Sequence, residues 1–282
     1  MHFNISYFTK WELTLWGSST VGILASFVAF DRSNYLILAA SLIGATSLIF
    51  NAKGNPVGQG LMILFSLLYG GISYGFSYFG EMITYLGMTA PMALVALVSW
   101  LRNPFKGNRS HVAVNRLKAF EPGLLVLLTT VVTLGFYFVL DFFDTANMLP
   151  STVSVATSFL AVYLTFRRSP YYALAYSAND LVLILLWLLA ARENPSYYSV
   201  VVCFAMFLVN DLYGFFSWQR MAREQGGIMH RNSVGKYRFQ VDKNPACSYN
   251  TNGNLWVSQK NKLHGVLHKF CLRAGARDQE TR

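Results

Sequence analysis

Two consecutive apolar stretches carry acidic and amide side chains at depths where a membrane would surround them. Asp180 is the eleventh residue of the stretch 170–191, and Asn179 precedes it. The next stretch, 195–218, holds Asn210 and Asp211, so the pair Asn-Asp occurs once in each. An ionisable group at mid-membrane is costly and usually faces a bundle interior or a polar cavity. Helical spacing groups Tyr172, Tyr176, Asn179, Asp180, Leu183 and Trp187 into one stripe. Phe207, Asn210, Asp211, Gly214 and Trp218 form another. Facing stripes of this kind would build a pocket with aromatic walls and oxygen acceptors. A flat cationic ring would gain cation–π attraction from the walls and charge pairing with Asp180. Ligand hydroxyls would bond to Asn amides and Tyr hydroxyls. Gln59, in an earlier apolar stretch, is a further candidate for the lining. For Asn179 and Asn210 the competing expectation is a bond between helices that serves packing. Trp100, Trp218, Tyr172 and Tyr197 lie near stretch ends, where aromatic residues anchor helices at the interface.

Other chemistries lack their residues. There is no Gly-rich phosphate loop, no HExxH and no serine elbow. No nucleophile stands beside a base, so no enzyme and no cofactor are expected. His264 and His268 are four apart with Cys271 nearby, which is a weak zinc pattern, and no metal site is expected. Cys203, Cys247 and Cys271 are too few for a disulfide scaffold.

The elements that must position the acidic groups are membrane spans. The chain of 282 residues is 54% hydrophobic and 13% charged, against about 25% charged in a soluble domain. A helix crosses a bilayer core in about 20 residues. Eight stretches qualify, near 12–30, 35–50, 58–79, 82–101, 120–142, 148–166, 170–191 and 195–218. The fold class expected is therefore all-α and polytopic. The first stretch lacks the basic n-region of a cleavable signal.

The net charge of +10 could suggest nucleic acid, but its distribution says otherwise. Residues 1–225 carry +3 and residues 226–282 carry +7. The tail 226–282 reads as a basic cytosolic extension, expected to be disordered. Within the first 225 residues, one side of an eight-span arrangement collects eleven Lys/Arg and the other only Arg32 and Arg192. Positive loops mark the cytoplasmic face, so both termini are expected there. The loop 102–118 divides the spans into two halves of four, and each half ends in a Trp. Spans 2–4 and 6–8 start from the same side, as in a parallel repeat. The segment Gly71-x-x-x-Gly75 is a candidate seam for close helix approach.

The segment Gly71-Ile-Ser-Tyr-Gly-Phe-Ser-Tyr-Phe-Gly-Glu81, followed by Pro91 and Trp100, resembles the Pnu family of bacterial vitamin transporters. So do Tyr176-Ser-Ala-Asn-Asp180 and Phe207-Leu-Val-Asn-Asp-Leu-Tyr-Gly214, closing at Trp218. The resemblance spans roughly residues 10–222 and is strongest to the family's nicotinamide riboside carriers. It implies a SWEET-like parallel repeat of three-helix bundles with a linking helix, plus an extra N-terminal helix. It also implies a homotrimer in the bacterial inner membrane, with facilitated uptake of an unphosphorylated vitamin. A cytosolic riboside kinase would then trap the cargo. The family's Trp-x3-Asn is here Tyr176-x3-Asp180, which keeps an aromatic ring and an oxygen acceptor. A carboxylate suits the cationic pyridinium of nicotinamide riboside, and equally the thiazolium of thiamine. The alternative from another class is a non-transporting membrane scaffold or receptor subunit.

Overall fold

The computed structural model describes residues 7–75, 79–145, 147–242, 247–249 and 255–257. Eight helices among them are long and apolar enough to cross a membrane. They are α1 (Lys10–Phe30), α2 (Tyr35–Ala52), α3 (Pro56–Gly75), a composite fourth span, α6 (Glu121–Phe142), α7 (Met148–Phe166), α8 (Tyr172–Ala191) and α9 (Tyr198–Asp242). The fourth span joins α4 (Phe79–Ile83), a π-helical turn (Thr84–Thr89) and α5 (Ala90–Arg102). Boundaries fall within a few residues of those expected, except that α3 ends at Gly75 and α9 runs past 218.

Local chemistry accounts for several ends and irregularities. Thr9 caps α1 in a reciprocal box: its hydroxyl accepts from Glu12 N–H at 3.3 Å, and the Glu12 carboxylate accepts from Thr9 N–H at 2.7 Å. Pro91 cannot donate to the carbonyl one turn back. The fourth span absorbs this in the wide turn just before it, where Ala90 N–H reaches Tyr85 O, five residues back. α6 is mostly exposed and would face lipid. Its Thr129 and Thr130 hydroxyls donate to the carbonyls of Leu125 and Val126, which satisfies them without water.

α3 packs between α2 and α5, α5 meets α7, and α7 lies between α6 and α8. The close seam on α3 is at Gly70 and the buried Ser66 and Ser73, and Gly71-x-x-x-Gly75 takes no part in it. A Cβ at Gly70 would come within 2.5 Å of Leu86, whereas Gly71 and Gly75 have open space.

The basic end of the bundle is tied in two equivalent ways. Trp218 donates its indole N–H to Asn51 O at 2.8 Å, and Ser217 donates to Ala52 O at 2.8 Å. Trp100 donates to Thr165 O at 3.0 Å, and Ser99 to Phe166 O at 3.0 Å. Each Ser-Trp pair thus grips the helix end of the opposite half. The loop between the halves forms a hairpin, β1 (Pro104–Phe105) with β2 (Asn108–Val112). It pins both interhelical links, through Val112 N–H to Gly54 O at 3.0 Å and Asn115 N–H to Arg168 O at 3.0 Å. Gly54 adopts a positive φ of 65°, which a side chain would strain. The two tryptophans were expected as interfacial anchors; they are instead fully buried, at 1% and 0% exposure. An indole N–H at such depth needs an acceptor, and the exposed carbonyls of a helix end supply one.

The chain divides into two compact units, Met1–Ala222 and Arg223–Arg282. In the second, the described residues are helical to Asp242, then form the antiparallel pair β3 (Cys247–Tyr249) and β4 (Leu255–Val257). His264, His268, Cys271 and most of the tail expected to be disordered lie outside the described residues.

Candidate functional site

Asp180 of α8 and Asp211 of α9 meet inside the bundle. Asp180 and Asp211 are 3% and 4% exposed, and both carboxyl groups border the same space. Two carboxyls in contact at this depth cannot both ionise, so the pair carries at most one negative charge. Among the described residues Asp180 Oδ2 has no hydrogen-bond partner. An unpartnered carboxylate oxygen at this depth is expensive and would be satisfied by a donor or a cation.

Both carboxyls line a central cavity of about 30 Å3. Tyr176 and Asn179 line it from α8, and Phe204 and Phe207 from α9. Phe65, Tyr85 and Thr89 complete much of the opposite wall. No Lys, Arg or His is among the described residues that line it. Asn179 Oδ1 accepts from Thr157 at 2.8 Å, Ser158 at 3.0 Å and Ser154 at 3.4 Å. These three hydroxyls of α7 fix the amide and leave its nitrogen to donate elsewhere. Gly44 on α2 makes room for the wall: a Cβ there would run into the rings of Phe207 and Phe65.

The space has room for a few water molecules at most, so the bundle is drawn in around its acidic pair. A larger vestibule of about 200 Å3 lies toward the non-basic end, where α4, α6, α7 and α8 begin or finish. Tyr85, Ser158 and Leu183 line both spaces and form the partition between them. Toward the basic end the cavity is stopped by an aromatic plug. Tyr172 stands between Tyr176 and Trp218, at centroid distances of 6.1 and 4.8 Å. Trp100 closes the cluster 5.3 Å from Trp218.

Four of the eight expected site residues thus share one cavity: Tyr176, Asn179, Asp180 and Asp211. Trp187 lines the vestibule, and Tyr172 sits in the plug. Asn210 turns to α1, donating to Ser19 Oγ at 2.8 Å and to Met206 O at 2.7 Å. Gln59 donates to Asn51 Oδ1 at 2.8 Å, beside the Trp218 tie. Neither lines the central cavity. The sequence reading missed Tyr85, Thr89 and Ser158. Pro91 was the available signal for Tyr85, since the wide turn before it carries that side chain.

The fold and site define a class, a multi-pass membrane protein with a closed, acidic, aromatic-walled chamber between a vestibule and a plug. Residues 34–220 match the family described as nicotinamide mononucleotide transporter, and the chain belongs to that family. It is a transporter and not an enzyme. It is 26% identical to the nicotinamide riboside transporter PnuC of Neisseria mucosa over 218 residues, 76% of this chain and 82% of that one. It is 22% identical to the protein of the same name from Haemophilus influenzae over 208 residues, 71% of this chain and 87% of that one. A solved structure described as the vitamin B3 transporter PnuC superposes with a TM-score of 0.68 at 22% identity. That match covers 77% of this chain and 94% of the other, and it concerns the fold.

Proposed function

We propose that this protein carries nicotinamide riboside across the bacterial inner membrane by facilitated diffusion. The observation that carries the reading is the paired carboxyl site in a cavity without a cationic side chain. It suits an organic monocation with a flat ring, and it disfavours a phosphorylated cargo. Asp180 pairs with the pyridinium and Tyr176 stacks on it. The Asn179 amide nitrogen donates to a ribose or carboxamide oxygen. Asn210, held by Ser19, serves packing in this scheme. The names of the relatives support the same cargo.

The cavity must expand to admit a ligand, since small-molecule sites run to about 300–1,000 Å3. The partition at Tyr85 opens on the vestibule side, and the Ser-Trp ties part on the basic side. The equivalence of those ties supports a SWEET-like parallel repeat. The Lys/Arg bias supports a cytoplasmic basic end and both termini inside. A homotrimer and trapping by a cytosolic riboside kinase complete the proposal.

Uptake of labelled nicotinamide riboside into proteoliposomes tests it. Asp180→Ala and Tyr176→Ala are expected to lose most transport, and unchanged uptake in both would reject this site. Thiamine is the competing cation. A thermal-shift titration with both vitamins should show stabilisation that rises with the cargo's concentration. Stabilisation by thiamine alone would overturn the choice of riboside.

A further inference from the structure

The vestibule has its own acidic group, which the central site does not use. Glu81 opens the fourth span and lines the vestibule, and its Oε2 is buried with no hydrogen-bond partner among the described residues. Its carboxyl lies beside the hydroxyls of Tyr69 and Ser73. Thr145 Oγ1, also in the lining, is a second buried polar atom without a partner among the described residues. Orphaned polar atoms converging on a cavity of this size point to a ligand.

The local backbone is shaped to put Glu81 there. Gly80 presses on the end of α6 and the link after it. A Cβ at Gly80 would come within 2.7 Å of Leu140 and 3.0 Å of Thr145. Only a residue without a side chain lets α4 approach so closely, and the next residue is then thrust into the vestibule. Glu81 stands four residues before Tyr85, about one helical turn further out. Tyr85 and Trp187 present aromatic surface beside it. Asp144 adds a second carboxyl, and no Lys, Arg or His is among the described lining residues.

We propose that the vestibule is a first binding station for an organic cation, held by Glu81 against Tyr85 and Trp187. The cation waits there until the Tyr85 partition opens toward the central pair. The ligand class is a hydroxylated aromatic monocation, taken from the proposed cargo, so this inference rests on that reading. A station ahead of the central site raises the local concentration of the cation and thus lowers KM.

The test uses the full chain in proteoliposomes with two labelled probes. One is nicotinamide riboside, and the other is its reduced, uncharged dihydropyridine form. Glu81→Gln should raise KM for the cation about tenfold with little change in maximal rate, and leave the reduced form unaffected. Glu81→Asp should recover most of the cation preference. Asp180→Asn is measured in parallel. A normal cation KM in Glu81→Gln, with a loss in Asp180→Asn, overturns the station and leaves the proposed function standing. An equal loss for both probes in Glu81→Gln shows a structural role and also overturns the station. If the parent moves neither probe, the proposed function fails and the station fails with it.

Discussion

The paired carboxyls lead to a graded prediction about charge. Asp180 and Asp211 line one cavity, and among the described residues Asp180 Oδ2 has no hydrogen-bond partner. In Asp180→Asn, Asp211 can still carry the single negative charge. What is lost is the charge-assisted contact from the free oxygen, worth about 1.5–3 kcal/mol. That corresponds to roughly a 10- to 150-fold rise in Kd for the cation. Asp180→Asn with Asp211→Asn removes all charge from the chamber. At about 4 Å and an effective dielectric constant near 20, a charge pair is worth about 4 kcal/mol. The double variant should therefore bind the cation about a thousandfold more weakly. The uncharged dihydropyridine riboside should lose less than about tenfold in either variant, because its contacts are to rings and amides. Calorimetric titration of purified protein with both forms measures the ratio directly. If the ratio of Kd values for the two forms is the same in parent and double variant, charge pairing is not what the chamber does.

Three further outcomes follow from the packing. Trp218→Phe and Trp100→Phe each keep a ring but remove the indole N–H that reaches a helix-end carbonyl, and each carbonyl keeps a backbone donor, so each should cost about 0.5–1.5 kcal/mol; unchanged melting temperatures would show that the ties are not structural. Gly44→Ala should push the Phe207 and Phe65 rings into the central cavity, and weaken nicotinamide riboside binding about tenfold or more, as about 1–3 kcal/mol is typical of overpacking; a normal Kd would mean the wall relaxes elsewhere. Asn210→Ala should loosen α1, lowering thermal stability by about 1 kcal/mol without altering the preference for cation over neutral riboside; a changed preference would return Asn210 to the ligand.

Some of this was legible before any coordinates. Eight spans follow from apolar run length, because a lipid-embedded backbone must bond to itself and helices do so locally. Asp180 and Asp211 were legible for the same reason: in hydrocarbon a carboxyl stands out by cost alone. Tyr176 and Asn179 came with them through helical spacing. The stripes failed where a residue's partner comes from a distant segment. Asn210 sits on the right face of α9, yet its partner Ser19 is 191 residues away. Gln59 reads as a polar group at depth, and only the fold shows it bonded to Asn51. Gly71 and Gly75 had the right spacing, but the neighbour that needs closeness is Leu86, opposite Gly70.

By itself, then, the sequence determined the membrane class, the number of spans and the acidic groups at depth. These depend on composition and period within single helices. Tertiary structure alone decided which polar residues face a shared space. It joined Asp180 to Asp211, gave Asn210 to α1, and placed Trp100 and Trp218 in a plug. It also turned Tyr85 into the partition and Glu81 into the vestibule. A helix face meets one neighbour and not another through long-range packing, which no local pattern encodes.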